Sequence, residues 1–427
     1  MQDFTNSKEF ALSMDEADEL KGFRDQFIFP TFQGGQALYF TGNSLGLQPE
    51  KAKEIILEEM DDWALYGVEG HTMSRRPWVK YHEFFTGALA EIVGAKSTEV
   101  VAMNGLTTNL HLLMASFYRP QGKRTKILCE GKAFPSDQYA LQSQLRFHGL
   151  DASHLIEIKP NEDDELLNVD LIYKTIEAHN DEIAVLMMGG VNYYTGQVLP
   201  MKEITAFARE RGIVVGWDLA HGAGNVSLEL HEWGVDFAAW CGYKYLNSGP
   251  GGVSGVFIHE RHHGKKDIPR FEGWWGHDKA SRFTMPETFN PIPTAEAWQL
   301  SNAPVLSMAP LLASLELFQK AGMSALRKKA LHLSNYLRFV IHEAFTAAGR
   351  EYKILTPSAD DARGAQVSLV VPEVGKEVFD FLSKNNVIAD WREPDVIRLA
   401  PVPMYNSYMD VFEFGQLLER GLRVGSM

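Results

Sequence analysis

A chain of 427 residues exceeds the length at which one hydrophobic core stops growing, which predicts two domains. Apolar residues make up 45% of it and charged residues 22%, the balance of a soluble globular enzyme. The net charge of −14 argues against nucleic acid or an anionic membrane surface as a partner. Cys129 and Cys241 both lie in apolar, strand-like context and read as reduced core thiols of a cytoplasmic protein, not as a disulfide framework. The opening Met1–Phe10 lacks the basic and apolar regions of a signal peptide. The stretch Val100–Tyr118, free of acidic and basic residues, carries Asn104, Thr107, Thr108, Asn109 and His111. It is a poor membrane span and suits a strand end followed by a buried helix.

In chain order, residues 1–60 read as an N-terminal arm and a helix over Pro49–Met60, entered from the turn Gly42-Asn43-Ser44-Leu45-Gly46. Residues 61–305 alternate helical patterns with short apolar runs, and the runs are predicted strands: Lys126–Cys129, Leu155–Ile158, Ile183–Met188, Ile213–Trp217, Phe237–Trp240 and Val253–Ile258. This alternation predicts an α/β domain of parallel strands with crossover helices. Residues 306–427 open with a long helical tract over Ser307–Ala348 that leads to a strand-rich part, and read as a smaller α+β domain. Its strands are expected at Ala365–Val371, Val387–Trp391 and Val396–Ala400, with a helix near Lys376–Asn385. No Gly/Ser linker separates the two parts, so they are expected to pack tightly.

Lys244, in Gly242-Tyr243-Lys244-Tyr245-Leu246-Asn247, and Asp218, in Trp217-Asp218-Leu219-Ala220-His221, carry the most chemistry. A lysine forms a Schiff base with an aldehyde cofactor, and a buried carboxylate holds a pyridine nitrogen protonated, which is the apparatus for pyridoxal phosphate (PLP). Their spacing leaves room for a strand end, a helix and the next strand end, so both can reach one ligand at the carboxyl edge of a sheet. Alone, each has an ordinary reading: a solvated lysine and a helix-capping aspartate.

The same holds for the other candidates. Gly105-Leu106-Thr107-Thr108 at a helix start suits a phosphate, and equally an ordinary cap. Phe134 before Pro135-Ser136-Asp137 can stack on a flat ring or staple a helix. Trp274 and Trp275 between glycines are expected to point to opposite sides of an extended segment, one to the core and one to a site or interface. Ser301-Asn302-Ala303-Pro304 reads as a turn, and His71 as a loop histidine. Arg398 interrupts an apolar strand and requires a carboxylate partner from the protein or from an amino-acid substrate. His262-His263 reads as a solvated loop, and no HxH, HExxH or CxxC spacing marks a metal site.

In combination these segments resemble the kynureninases, PLP-dependent hydrolases of fold type I. The resemblance runs from about Tyr39 to Asn406 and also includes Tyr194-Thr195-Gly196-Gln197, Gly273-Trp274-Trp275-Gly276-His277 and Arg398-Leu399-Ala400-Pro401. It implies a large domain with a mostly parallel seven-stranded sheet and a smaller α+β domain. It implies catalytic roles for Lys244, Asp218 and Tyr243, with Lys244 carrying PLP and Asp218 pairing with the pyridinium. Leu106, Thr107 and Tyr243 would hold the phosphate, Phe134 would stack on the ring, and Asp137 and His221 would line the cofactor site. Trp274 and Asn302 would reach a cofactor held mainly by the other subunit of a homodimer. Arg398 would bind the substrate carboxylate, while Ser44, His71 and Asn302 would face its aryl end. The implied substrate is a small amino acid, L-kynurenine or 3-hydroxy-L-kynurenine, cleaved in tryptophan catabolism on the way to NAD. One departure is Gly189, where relatives can carry a cofactor-contacting serine.

Two other PLP chemistries share this fold. A cysteine desulfurase needs a nucleophilic cysteine on a loop of the C-terminal part, and no cysteine follows Cys241. An aminotransferase would cycle its cofactor through the amine form when offered a 2-oxo acid. A PLP carrier or structural dimer would bind the cofactor without turnover.

Overall fold

The computed structural model describes residues 4–32, 34–160 and 165–424. Of the expected N-terminal arm, residues 1–3 and 33 lie outside that range. Seven strands form the main sheet: β1 (Val100–Ala102), β2 (Lys126–Glu130), β3 (Leu155–Ile158), β4 (Ile183–Gly189), β5 (Val214–Asp218), β6 (Phe237–Trp240) and β7 (Gly255–Ile258). Their spatial order is β1-β7-β6-β5-β4-β2-β3. Strands β2 to β6 are mutually parallel, and β7 is antiparallel to both its neighbours. The sheet therefore has the mostly parallel α/β form.

The reason is visible strand by strand. Side chains alternate across a strand, and here both faces are covered. Leu128, Leu186, Met188, Val215, Trp217 and Trp240 enter one core. Their neighbours Ile127, Cys129, Val185, Met187 and Phe237 enter another on the opposite face. Continuous apolar runs, rather than alternating ones, are what such a doubly covered sheet demands.

Several boundaries differ from the sequence-based expectation. Pro49 lies in a two-residue strand, Gln48–Pro49, paired with Phe27–Ile28, and the helix runs over Ala52–Tyr66. The connection from β5 to β6 holds no helix among the described residues. Gly222 and Gly224 break it into successive turns, with Gly224 at φ 77°. The tract Ser307–Ala348 is two helices, Val305–Ala321 and Met323–Ala348, parted at Gly322 with φ 73°. The stretch Val387–Trp391 splits, and the sequence reading had no counterpart for the C-terminal helix Tyr408–Val424.

A second, antiparallel sheet is formed by β8 (Lys353–Ile354), β9 (Val367–Val370), β10 (Asp390–Arg392) and β11 (Val396–Leu399), in the order β8-β9-β11-β10. Ser368, Arg398 and Asp390 are in register across three of its strands. The N-terminal arm is sewn into this region. Leu38–Tyr39 pairs in parallel with Val387–Ile388, and Ala400 N–H donates to Phe40 O at 2.7 Å. The arm then turns back toward the main sheet, where Gly46 N–H donates to Tyr243 O at 2.8 Å.

That last contact leaves no room for a side chain. A Cβ on Gly46 would lie 2.1 Å from Asn247 Oδ1 and 2.4 Å from Lys244 O. Gly46→Ala is expected to destabilise the chain by about 1–3 kcal/mol, as overpacking does. A urea-unfolding midpoint equal to that of the parent would contradict this close approach.

Candidate active site

A cavity of about 350 Å³ opens where β2, β4, β5 and β6 end. Leu106, Thr107, Phe134, Asp137, Asp218, His221, Tyr243 and Lys244 all line it, so eight side chains expected to meet at one ligand do meet. The two registers that bring the floor together are Asp218 opposite Gly189 and Asp218 opposite Ala239.

Each wall has its own chemistry. Helix Leu106–Phe117 begins at the cavity with Gly105 as its cap and no capping side chain. Its first N–H groups have no carbonyl to meet within the helix, and they sit at its positive end. Phe134 caps the helix Pro135–Phe147, and Lys244 Nζ lies 5.8 Å from its ring centroid. Lys244 Nζ is 3.0 Å from His221 Nε2. Burial, and then the charges of Lys244, Arg398 and Arg392, hold the pKa of His221 well below its ordinary value. His221 is thus a neutral neighbour for the lysine, and its Nδ1 meets no partner among the described residues.

Three carboxyl groups crowd the floor. Asp218 accepts from Ala220 N–H at 2.7 Å, so it caps a turn and also faces the cavity. Asp137 is buried, and burial followed by the charge of Asp218 raises its pKa far above the carboxylate range. Burial and the neighbouring Asp218 thus both favour its protonated form. Glu130 is pushed up to about 7, chiefly by burial, with Asp218 adding to the rise and the Gly189 N–H opposing it. That N–H lies 2.9 Å from Oε2 and 3.2 Å from Oε1. Burial also pushes the Cys241 thiol up to about 11 and keeps the Tyr243 hydroxyl protonated.

This donor set fits PLP. A cationic ring nitrogen suits a floor of carboxyl groups, a phosphate dianion suits the open helix start, and an aldehyde carbon suits a lysine beside a neutral histidine. Gly189 also finds its reason here. A Cβ at that position would sit 2.9 Å from Glu130 Oε1, so the carboxyl of Glu130 occupies the space a serine would need.

The remaining expected residues do not line this cavity. Arg398 is buried beside it, donating to Tyr193 O at 2.6 Å and pairing with Asp390, which supplies the carboxylate partner from the protein itself. Ser44 lies on the turn that reaches Tyr243. His71 is exposed on the short helix Gly70–Met73, edge-on to Trp78, and Asn302 is exposed ahead of Val305–Ala321. Trp274–Gly276 forms a 3₁₀ turn rather than the expected extended segment, yet it still divides the tryptophans. Trp275 is 2% exposed and Trp274 48% exposed. His262 and His263 are not solvated: Asp236 draws in His262 at 2.7 Å, and Ile258 O holds His263 at 2.9 Å.

Sequence reasoning missed Glu130, Tyr193, Asp390 and Arg392. Only Glu130 had a local signal, a charged residue ending an apolar strand just as Asp218 does. It likewise saw no metal spacing. The fold does bring Glu99, His231 and His259 together, but two backbone N–H groups and His231 already bind Glu99.

The same architecture occurs in solved structures. A cystine C–S lyase, C-DES, in complex with cysteine persulfide superposes with a TM-score of 0.75 over 90% of this chain and 97% of that one, at 20% identity. The cysteine desulfurase CsdA from Escherichia coli gives 0.74 over 95% and 99%, at 17% identity. The fold is that of PLP-dependent enzymes of fold type I. Sequence comparison narrows this further. A family model described as kynureninase C-terminal domain matches residues 326–418. Proteins named kynureninase are similar over almost the whole length: from Flavobacterium johnsoniae at 53% identity over 98% of this chain and 99% of the relative, and from Christiangramia forsetii at 54% with the same coverage. One from Myxococcus xanthus is 52% identical over 97% of both chains. The chain belongs to the kynureninase family.

Glu130 makes a pH prediction. Its folded pKa is above that of an unfolded glutamate, so the folded state binds the extra proton. Its contribution to stability is full at low pH and falls as pH rises from about 4.5 to about 7. Glu130→Gln keeps an oxygen for the Gly189 N–H and removes the titration. Urea midpoints of the cofactor-free variant are expected to decline less over this interval than those of the parent, and parallel curves would count against a buried, proton-holding Glu130.

Proposed function

We propose that the protein hydrolyses the Cβ–Cγ bond of L-kynurenine or 3-hydroxy-L-kynurenine with PLP as cofactor, giving L-alanine and anthranilate or 3-hydroxyanthranilate. The observation that carries this reading is one cavity holding Lys244, Asp218 and an open helix start, in a chain 53% identical to a kynureninase over nearly its full length. The corresponding biological role is tryptophan catabolism feeding NAD synthesis.

Leu106, Thr107 and Tyr243 are assigned to the phosphate, Phe134 to the ring face, Asp218 to the ring nitrogen, with Asp137 and His221 beside it, and Lys244 to the carbonyl carbon. Bound there, PLP supplies a sink for the electron pairs released at the substrate Cα and Cβ. Lys244, released when the substrate amine takes its place, is the base for the Cα proton, and neutral His221 3.0 Å away does not compete with it as a cation. The Ala220 N–H donates to Asp218, which fixes the carboxylate that faces the ring nitrogen. Tyr243, its hydroxyl kept protonated by burial, is a proton donor on the cavity wall. Arg398 holds the α-carboxylate. Water contributes hydroxyl to the aryl carbonyl carbon and a proton to Cβ, so the ketone leaves as a carboxylic acid and the remainder as alanine.

The working unit is a homodimer in this reading, with Trp274 and Asn302 directed to the cofactor of the partner subunit and Ser44 and His71 to the aryl end of the substrate. The exposure of Trp274 supports this, as do the exposed apolar side chains Leu57, Met60 and Trp63 of helix Ala52–Tyr66. We assign residues 1–60 to an arm and helix, 61–305 to the cofactor domain and 306–427 to the small domain. Among the described residues no helix is long and apolar enough to cross a membrane, and both cysteines are free and buried, which supports a cytoplasmic setting.

The test is anthranilate fluorescence. PLP-loaded protein offered L-kynurenine is expected to release anthranilate, and release from neither substrate ends the proposal. Lys244→Ala is expected to lower kcat by several orders of magnitude, since it removes the Schiff-base amine and the Cα base together.

The polar side chains assigned to the aryl end generate a second expectation. Leaving a 3-hydroxyl unpaired disfavours binding by about 1–3 kcal/mol, and Ser44, His71 and Asn302 offer it partners. The ratio of kcat/KM values is therefore expected to favour 3-hydroxykynurenine. Equal values would remove this polar aryl pocket and leave the reaction class standing.

A further inference from the structure

The small domain presents a polar sheet face toward the cavity. Asp390 and Arg392 are two residues apart on β10 and so share a face, and Arg398 stands opposite Asp390 on β11. Arg398 is 1% exposed, Asp390 13% and Arg392 36% at their side chains. The Nη2 atoms of both arginines meet the same oxygen, Asp390 Oδ2, with Arg392 at 3.2 Å. Two guanidinium groups thus share one carboxylate oxygen, and the cluster keeps a surplus positive charge. The Nε atoms of Arg392 and Arg398 are both buried without a partner among the described residues, and both arginines depress His221 inside the cavity. Arg398 Nη1 holds Tyr193 O, and Tyr193 lines the cavity.

A buried guanidinium without a counter-ion is unfavourable, so Arg398 needs a carboxylate before substrate arrives. A carboxylate bound firmly to Arg398 alone would compete with the substrate. The shared oxygen answers both requirements. We propose that Asp390 is a hand-over carboxylate: it pairs Arg398 while the site is free, and passes to Arg392 when the α-carboxylate of an amino acid docks on Arg398. Arg392 is then a positioning residue for substrate binding, acting through Asp390 without touching the reacting atoms. This rests on the reading of Arg398 as the carboxylate site and adds to it the two residues that set its affinity.

The experiment uses the PLP-loaded protein and L-alanine, the amino-acid product proposed above, with binding followed through the visible absorbance of the cofactor. Arg392→Gln leaves Asp390 with Arg398 as its only partner, so L-alanine is expected to bind about tenfold more weakly, with KM for the aryl substrate rising in step and kcat within about twofold. Adding Asp390→Asn removes the competitor, and the double variant is expected to return to within about threefold of the parent. Arg398→Lys separates the two levels of argument. If it leaves L-alanine binding unchanged, the carboxylate site is elsewhere and both readings fall. If it weakens binding while Arg392→Gln does not, the hand-over alone is overturned. A double variant as weak as Arg392→Gln also overturns it. Should the double variant not purify folded, Arg392→Gln alone decides, because its half-buried side chain lies at the edge of the sheet face and belongs to no apolar core cluster.

Discussion

Packing three carboxyl groups into the dry end of one sheet is the constraint around which this molecule is arranged. Glu130 and Asp218 end adjacent parts of the sheet, and Asp137 enters from the helix that follows β2. Like charges at this distance in a low dielectric cannot all persist. The fold resolves the conflict by unequal treatment. Asp218 receives a backbone N–H and faces the cavity, Asp137 is driven toward its protonated form by burial and by Asp218, and Glu130 leans on the Gly189 N–H while holding a pKa near neutrality. The glycine at 189 belongs to the same solution, since any side chain there would displace Glu130.

The opposite wall poses the mirror problem, an excess of cations. Lys244, Arg398 and Arg392 all act on His221, and the response is a neutral imidazole rather than a further charge. A cofactor that is anionic at its phosphate and cationic at its ring therefore completes both walls at once. Charge complementarity of this kind orients a ligand more than it tightens it.

What the sequence disclosed follows from how local each signal is. The strands of the main sheet were legible because a doubly covered strand is a continuous apolar run, and Phe237–Trp240 and Leu155–Ile158 came out with their bounds intact. The cavity-lining residues were legible because most sit at or just past a strand end or at a helix start, as Asp218 and Leu106 do. Glu130 carried the same strand-end signal and was passed over because a glutamate there is usually solvated. Asp390 and Arg392 had no local mark, since their meaning comes from register with Arg398 across a sheet. The link between β5 and β6 misled for a different reason: its spacing allows a helix, but Gly222 and Gly224 divide it into turns. The turn at Trp274 shows that burial can be foreseen where conformation is not.

The stitching of the arm into the small domain has a consequence for synthesis. Leu38–Tyr39 finds its strand partner only at Val387–Ile388, and Thr41 bridges to Ala400. A chain emerging from the ribosome N-terminus first must carry Leu38–Tyr39 and Thr41 without these partners until the segment 387–400 is made. The turn that abuts Tyr243 and Lys244 is anchored through that arm, and the buried pair Asp390–Arg398 belongs to the same late segment. The main sheet can close earlier, because its seven strands lie between Val100 and Ile258. Lys244 is thus ordered in two stages, first by the sheet beneath it and last by the chain that closes over it. A chain that stopped short of Ala400 would display the cavity floor without the segment that anchors the turn over it.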